Sequence, residues 1–286
     1  MITIDTKQIS TQKLHAYLLS AIAPRPIAFA STVDVNGCPN LSPFSFFNVF
    51  SANPPILIFS PARRVRDNTT KHTLENILET NEVVINVVNH AIVQQMSLSS
   101  TEYAKDVNEF DKAGFTMLPS EVVKPFRVAE SPIQLECKVN EIIALGNDGG
   151  AGNLIICEVL KIHISKNVLD ENDMIDQKKL DLVARAGGSY YSRAKNGFFE
   201  IPKPLSVLGI GVDQISTEIK NSNILTGNNL GMLANVEKLP NQQDVDNFAK
   251  DNQQYIGLKT LEKHKFAQEF LENNDVNSAW KVLLIK

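Results

Sequence analysis

Apolar residues fall in short runs broken by turn residues along the first two-thirds of the chain, and at helical spacing along the last third. Leu14, Leu18, Leu19 and Ile22 share one helical face, and Pro24 and Pro26 end any helix there. Residues 27–33 then read as a strand, and Asn36-Gly37 makes a hairpin turn into the next. The stretch 40–50 is extended but carries Pro43, which predicts a bent or edge strand. Residues 56–59 form a short buried strand behind Pro54-Pro55. Leu74, Ile77 and Leu78 lie on one face, with Thr73 as N-cap and Glu75 in the first turn, which predicts a helix over 73–80. Residues 83–88 read as a strand and 92–97 as a short helix.

Leu135, Cys137 and Val139 alternate with Glu136, Lys138 and Asn140, the signature of a half-buried strand with its polar set facing water. A turn over 147–153 leads into a long strand over 154–164. Six strands at hairpin spacing with one internal helix predict a mainly β fold, a small antiparallel barrel and not a parallel doubly wound sheet. Beyond 204 the texture changes. Phe266, Ala267, Phe270 and Leu271 fall on one helical face, and strand signals are scarce apart from 282–285. The chain therefore divides into a barrel over 1–204 and a mostly helical C-terminal extension over 205–286.

The 286 residues are 43% hydrophobic, enough for a substantial core. A net charge of -4 argues against non-specific nucleic-acid or anionic-membrane partners. No apolar run reaches the length of a membrane span. The polar start, with Asp5 and Lys7, does not read as a secretion signal. Cys38, Cys137 and Cys157 are widely spaced, with no Cys-x-x-Cys pair, and fit a reducing cytoplasm. None of the five histidines lies at metal-ligand spacing from another ligand, so no metal is expected; His163, within a strand, reads as structural. The glycine-rich nucleotide loops and the nucleophile elbow are missing, and no catalytic acid, base or nucleophile stands out.

Two polar clusters carry candidate chemistry. Ser60, Arg63, Arg64, Arg66, Lys71, His72 and Thr73 fall in a short loop ending at a helix start. Cations, hydroxyls and unpaired helix N–H groups together suit a phosphate, although a solvated basic loop before an ordinary capped helix has the same composition. Ser42, Ser45 and Asn48 are interleaved with Phe44, Phe46, Phe47 and Phe50. Alternation puts Phe44 and Phe46 on one face and Ser45 and Phe47 on the other. That pattern suits a planar heteroaromatic ligand, or equally a bent edge strand with Phe in the core and Ser in water.

Arg25-Pro26-Ile27-Ala28, Ser42-Pro43-Phe44-Ser45-Phe46-Phe47-Asn48 and Asn53-Pro54-Pro55 resemble, in order, the flavin reductase-like FMN-binding split-barrel family, in its flavoredoxin-type branch. Thr73-Leu74-Glu75-Asn76-Ile77, Val128-Ala129-Glu130-Ser131-Pro132 and Gly187-Gly188-Ser189-Tyr190-Tyr191 extend the likeness, which spans about 20–204. His72 stands where similar proteins often carry Asp. The resemblance implies a six-stranded Greek-key barrel, a homodimer, and FMN at the subunit interface. It implies that Thr32, Ser45, Phe46 and Asn48 line the isoalloxazine and ribityl chain. Ser60, Arg63, Lys71 and Thr73 would hold the phosphate with His72 beside them, and Tyr190 and Tyr191 would cover the flavin or a nicotinamide. The implied activity is NAD(P)H-dependent reduction of flavin or a small acceptor by hydride transfer to flavin N5, which needs no dedicated acid or base. A flavoredoxin-like electron carrier fed by a donor protein, or a flavin-binding module without turnover, are the alternatives.

Overall fold

A computed structural model describes residues 1–201 and 208–286. The expected boundary at 204/205 lies outside the described residues. The packing of the chain forms two units, Met1–Phe199 and Glu200–Lys286.

The first unit opens with helix α1 (Thr11–Ala21) and four strands, β1 (Ala28–Val33), β2 (Pro39–Phe44), β3 (Phe47–Ala52) and β4 (Pro55–Phe59). Helix α2 (His72–Thr80), strand β5 (Glu82–Val87), and short helices α3 (Val93–Leu98) and α4 (Glu109–Ala113) follow. A two-residue ribbon pairs β6 (Met117–Leu118) with β7 (Arg127–Val128). The long hairpin of β8 (Ile133–Ala144) and β9 (Asn153–Ile164), the helical turn α5 (Gln177–Leu180), and a small hairpin of β10 (Val183–Arg185) and β11 (Tyr191–Arg193) complete it.

Seven strands make one antiparallel sheet in the order β2-β1-β5-β8-β9-β4-β3. Its two edge strands are consecutive in the chain and joined only by Ser45 and Phe46, so the sheet curls round into a split barrel. The main sheet has one strand more than the six expected because 40–50, read as a single bent strand, divides into β2 and β3. The break falls at Ser45-Phe46. Pro43 stays in register opposite Phe29, which an edge strand tolerates because its missing N–H faces away from the ladder.

All six residues of β1 are buried. Ala28 and Ala30 face the barrel interior with Phe44, Phe59, Ile85, Ile155 and the α2 residues Leu74 and Ile77. Phe29 faces the other way, onto Leu41, Met96, Phe110 and Phe115. Its complete burial contributes about 2–3 kcal/mol. Cover on both faces explains why 27–33 shows no polar alternation. Helix α1 forms as expected, yet buries no residue: Leu18 and Ile22 are 53% and 66% exposed.

The alternation read over 135–140 fails at one position. Glu136 is fully buried. Its carboxylate accepts from the backbone N–H groups of Glu121 and Val122 (2.9 and 2.7 Å) and lies 2.7 Å from His163 Nε2. The loop 119–126 thus folds over β8 and β9 and caps a position that a bare hairpin would leave in water. Burial pushes the Glu136 carboxyl up, but the Glu121, Val122 and His163 hydrogen bonds outweigh it and hold it below the usual carboxylate range.

The second unit contains α6 (Thr217–Lys220), α7 (Gly227–Ala234), α8 (Gln242–Asp251), α9 (Thr260–Glu272) and α10 (Val276–Leu284). It has its own core, with Leu233, Ala267, Leu271, Ala279 and Trp280 buried together. Trp280 Nε1 donates to the Leu233 carbonyl at 2.9 Å. The run 282–285, read as a strand, is instead mostly the last turn of α10. Asp275 caps that helix by accepting from Ser278 N at 3.0 Å, and the helical register buries Ala279 and Val282 together. A helix already nucleated and packed overrides the β preference of a four-residue apolar run.

Candidate functional site

The loop from β4 to α2 is laced to the 147–153 turn. Arg63 N donates to the Ala151 carbonyl (2.8 Å), Gly150 N to the Arg63 carbonyl (2.9 Å), and Asn153 Nδ2 to the Pro61 carbonyl (2.9 Å). Gly152 permits this approach, since a Cβ there would stand 2.6 Å from Ser60 Oγ. The Arg63 guanidinium turns back onto Asn68, with Nε 2.6 Å from Oδ1 and Nη2 2.7 Å from the carbonyl. Ser60 and Arg63 therefore secure the loop; neither lines the cleft at the start of α2.

Arg64, Lys71, His72 and Thr73 do line it, with Ser42 from β2 and Ser100 and Glu102 from the segment after α3. Arg64 Nη1 donates to Thr69 Oγ1 (2.8 Å) and the Thr70 carbonyl (2.5 Å), while its Nε reaches Glu102 Oε1 at 3.0 Å. Arg66 Nη2 lies 3.0 Å from Glu102 Oε2, and Lys71 Nζ lies 3.8 Å from Oε1. Hydrogen bonds from Arg66 and Arg64 hold Glu102 below the usual carboxylate range. Burial, and then the nearby Arg64 charge, push the Lys71 ammonium down. Glu109 closes the floor of the cleft: it is buried, accepts from Leu41 N at 3.1 Å, and burial pushes its carboxyl up.

The N-cap of α2 is Lys71, not Thr73, and no side chain caps the helix. Thr73 is the second residue of the helix and its hydroxyl is taken by Asn40, whose Nδ2 donates to Thr73 Oγ1 at 2.9 Å. Asn40 also donates to Thr32 Oγ1 (3.3 Å), as does Asn76 Nδ2 (3.1 Å). Thr32 and Thr73 are thus joined in a buried network beneath the helix start, with their hydroxyls spent inside the protein. Leu74 N and Glu75 N both donate to the Lys71 carbonyl (2.9 and 3.2 Å), so it is the N–H groups of His72 and Thr73, the first two residues of α2, that lie at the cleft without a side-chain cap.

A second cleft of about 230 Å³ follows along β2, lined by Ile27, Phe44, Ser45, Ser97, Arg185 and Tyr191, and it shares Ser100 with the first. Its wall is pinned by Arg25, which is only 6% exposed. Arg25 Nε donates to Ser45 Oγ (3.3 Å), Nη1 to the Leu19 and Ile22 carbonyls (2.5 and 2.6 Å), and Nη2 to the Ala186 carbonyl (3.3 Å). One side chain thus ties the end of α1, the β2–β3 corner and the β10–β11 hairpin together. Burial, and then the Arg185 charge, lower the Arg25 pKa from the ordinary guanidinium value. Arg185 lies over the Tyr191 ring at 4.7 Å and donates to the Tyr190 carbonyl at 3.0 Å; among the described residues no carboxylate pairs with it. A third cleft of about 250 Å³, lined by His90, Gln94 and Arg193, shares Ser97 and Tyr191 with the second.

The structure therefore brings Lys71, His72 and Thr73 together at the cationic end and Ser45 and Tyr191 along the continuation. Phe46 stands outside these clefts, 38% exposed and edge-on to His15 at 6.3 Å. Asn48 is exposed on β3, its Oδ1 accepting from Val49 N at 2.8 Å. Tyr190 is 78% exposed and also lies outside the clefts. The expected alternation at 44–47 breaks at the corner, so Phe44 and Phe47 both pack on the barrel core and Phe46 does not. Sequence reasoning assigned no role to Glu102, Glu109, Ser97, Ser100 or Arg185. Each reaches the clefts from far along the chain, and none sits in a local motif that could have exposed it.

The model of the flavin reductase like domain matches residues 20–184. An uncharacterised protein of Aquifex aeolicus is 36% identical over 188 residues, covering 66% of this chain and 93% of its own. Nitrilotriacetate monooxygenase component B from Bacillus cereus superimposes with a TM-score of 0.66 at 28% identity, covering 70% of this chain and 98% of that one. The 2-nitrobenzoate 2-nitroreductase of Pseudomonas fluorescens shares the fold, with a TM-score of 0.65 at 23% identity over 73% of this chain and 100% of that one.

Proposed function

The chain belongs to the flavin reductase-like family, and from that premise we propose that it is an FMN-binding oxidoreductase that uses NADH or NADPH to reduce flavin or a small acceptor. The observation that carries this reading is the run of connected clefts, cationic at Arg64 and Lys71 and lined by hydroxyl, aromatic and guanidinium groups where it continues along β2. The donor set fits FMN. Lys71 and Arg64, beside an uncapped helix start, would hold the phosphate by charge-assisted hydrogen bonds. Ser42 and Ser45 would meet the polar rim of the flavin, and Arg25 would fix Ser45 in place. Arg185 and Tyr191 would flank the ring, and the cleft at Ser97 and Gln94 would admit the nicotinamide.

When bound, the flavin supplies hydride acceptance and release, chemistry that asks no acid or base of the protein. The residues bind, orient and exclude water. The family's homodimer is part of this reading. Leu160, Ile162 and Ile164 alternate along one face of β9 at 48%, 54% and 40% exposure, and Val49 and Phe50 of β3 are each 63% exposed. Apolar surface of this kind favours a second copy as cover. Three unpaired cysteines are consistent with a cytoplasmic setting. Among the described residues no helix is long and apolar enough to cross a membrane.

The test is anaerobic. The full chain is loaded with FMN, NADH or NADPH is added, and the visible flavin band is followed. Bleaching by either nucleotide supports the reductase. Bleaching by a reduced ferredoxin alone turns the reading to an electron carrier, and bleaching by neither donor leaves a binding module. Failure to take up FMN at all refutes it.

A further inference from the structure

Glu102 occupies the cationic end of the site. Its carboxylate spans Arg64 and Arg66 at 3.0 Å each and faces Lys71 at 3.8 Å, yet the side chain is 44% exposed and comes from an irregular segment, not from the barrel. The two arginines do not depend on it for their positions. Arg64 is held independently by Thr69 Oγ1 and the Thr70 carbonyl, and Arg66 by Asp67 at 3.1 Å. The backbone of Lys71 is held as the N-cap of α2, and its contact with Glu102 is the long one of the three. The carboxylate is therefore a guest on a prebuilt cluster. It brings one negative charge, whereas a phosphate monoester brings about 1.5 to 2 at neutral pH and three acceptor oxygens.

We infer that Glu102 is the internal competitor for the phosphate of FMN, setting the affinity of the cleft for phosphate-bearing flavin: the cofactor enters by displacing the Glu102 carboxylate from Arg64, Arg66 and Lys71. This rests on the reading that the flavin phosphate binds at Lys71 and Arg64. Anions that gain less from the three cations than Glu102 does are kept out, and the site stays charge-compensated when no cofactor is bound. Riboflavin, which has no phosphate, does not contend with Glu102.

The experiment titrates the full chain with FMN and with riboflavin by flavin fluorescence quenching, for the wild type, Glu102→Gln, Glu102→Ala and Lys71→Ala. Both Glu102 variants are expected to bind FMN about threefold to tenfold more tightly, the value of one or two exposed ion pairs no longer broken on entry. Their riboflavin affinity stays at the wild-type value, which also reports an intact pocket. Unchanged or weakened FMN binding in the Glu102 variants, alongside a loss confined to FMN in Lys71→Ala, overturns the competitor role and leaves the phosphate site standing. Equal tightening of FMN and riboflavin overturns it as well. If Lys71→Ala binds FMN and riboflavin as the wild type does, the phosphate reading itself fails, and the inference with it.

Discussion

Arg25→Ala removes one side chain that touches three separate segments. Its guanidinium serves four acceptors: the carbonyls of Leu19, Ile22 and Ala186, and Ser45 Oγ. The two bonds at 3.3 Å are long and are left out of the sum. The two short bonds to the end of α1, taken at the lower end for charged donors, are worth about 3 kcal/mol together. Relief of the charge of Arg185 offsets part of this, and the void left by a residue only 6% exposed adds to it. The expected loss in the first unit is therefore about 3 kcal/mol. Arg25→Lys keeps the charge but has no planar fork, so it recovers less than half. Hydrogen exchange across a urea series, read in peptides from 10–30 and 183–193 and separately from 208–286, measures the effect. A first-unit unfolding free energy for Arg25→Ala within about 0.5 kcal/mol of wild type, the range of an ordinary surface change, would refute the claim that Arg25 holds this wall together. Weaker FMN binding is expected to accompany the loss, because Ser45 is no longer fixed.

Two other outcomes follow from the same geometry. Glu136→Gln removes the charge that two backbone N–H groups and His163 face and puts a donating NH2 in place of one of the two accepting oxygens, and is expected to cost about 2 kcal/mol at pH 7. Because the folded carboxyl is held below its unfolded value, that stability is fully present above the unfolded pKa and lost as pH falls through the folded one; a wild-type-minus-variant difference that stays constant from pH 7 to pH 3 would contradict this. Ile162→Asp puts a charge on the exposed stripe of β9 and is expected, if the proposed dimer forms across this face, to shift sedimentation from dimer to monomer, with weaker FMN uptake; an unaltered sedimentation profile would remove β9 from the proposed interface.

Periodicity alone determined much of this protein. Strands over 27–33, 56–59, 83–88 and 154–164 and the helices near 14–22 and 73–80 were legible because each has a two-residue or four-residue repeat, or a continuous buried run, bounded by Pro, Gly or Asn. That Lys71, His72 and Thr73 would line one cleft was legible because they are adjacent in the chain. What only the tertiary structure decided are the matters of distant partners. Thr73 reads locally as a cap and becomes a buried acceptor of Asn40, a residue on another strand. Glu136 reads as an outward residue until the loop 119–126 covers it. Glu102 and Arg185 enter the clefts from segments with no local signature. Local patterns fix the backbone because hydrogen bonding and side-chain direction repeat within a few residues; the use of each polar side chain depends on which desolvated partner the fold brings opposite it, and no window of sequence contains that partner.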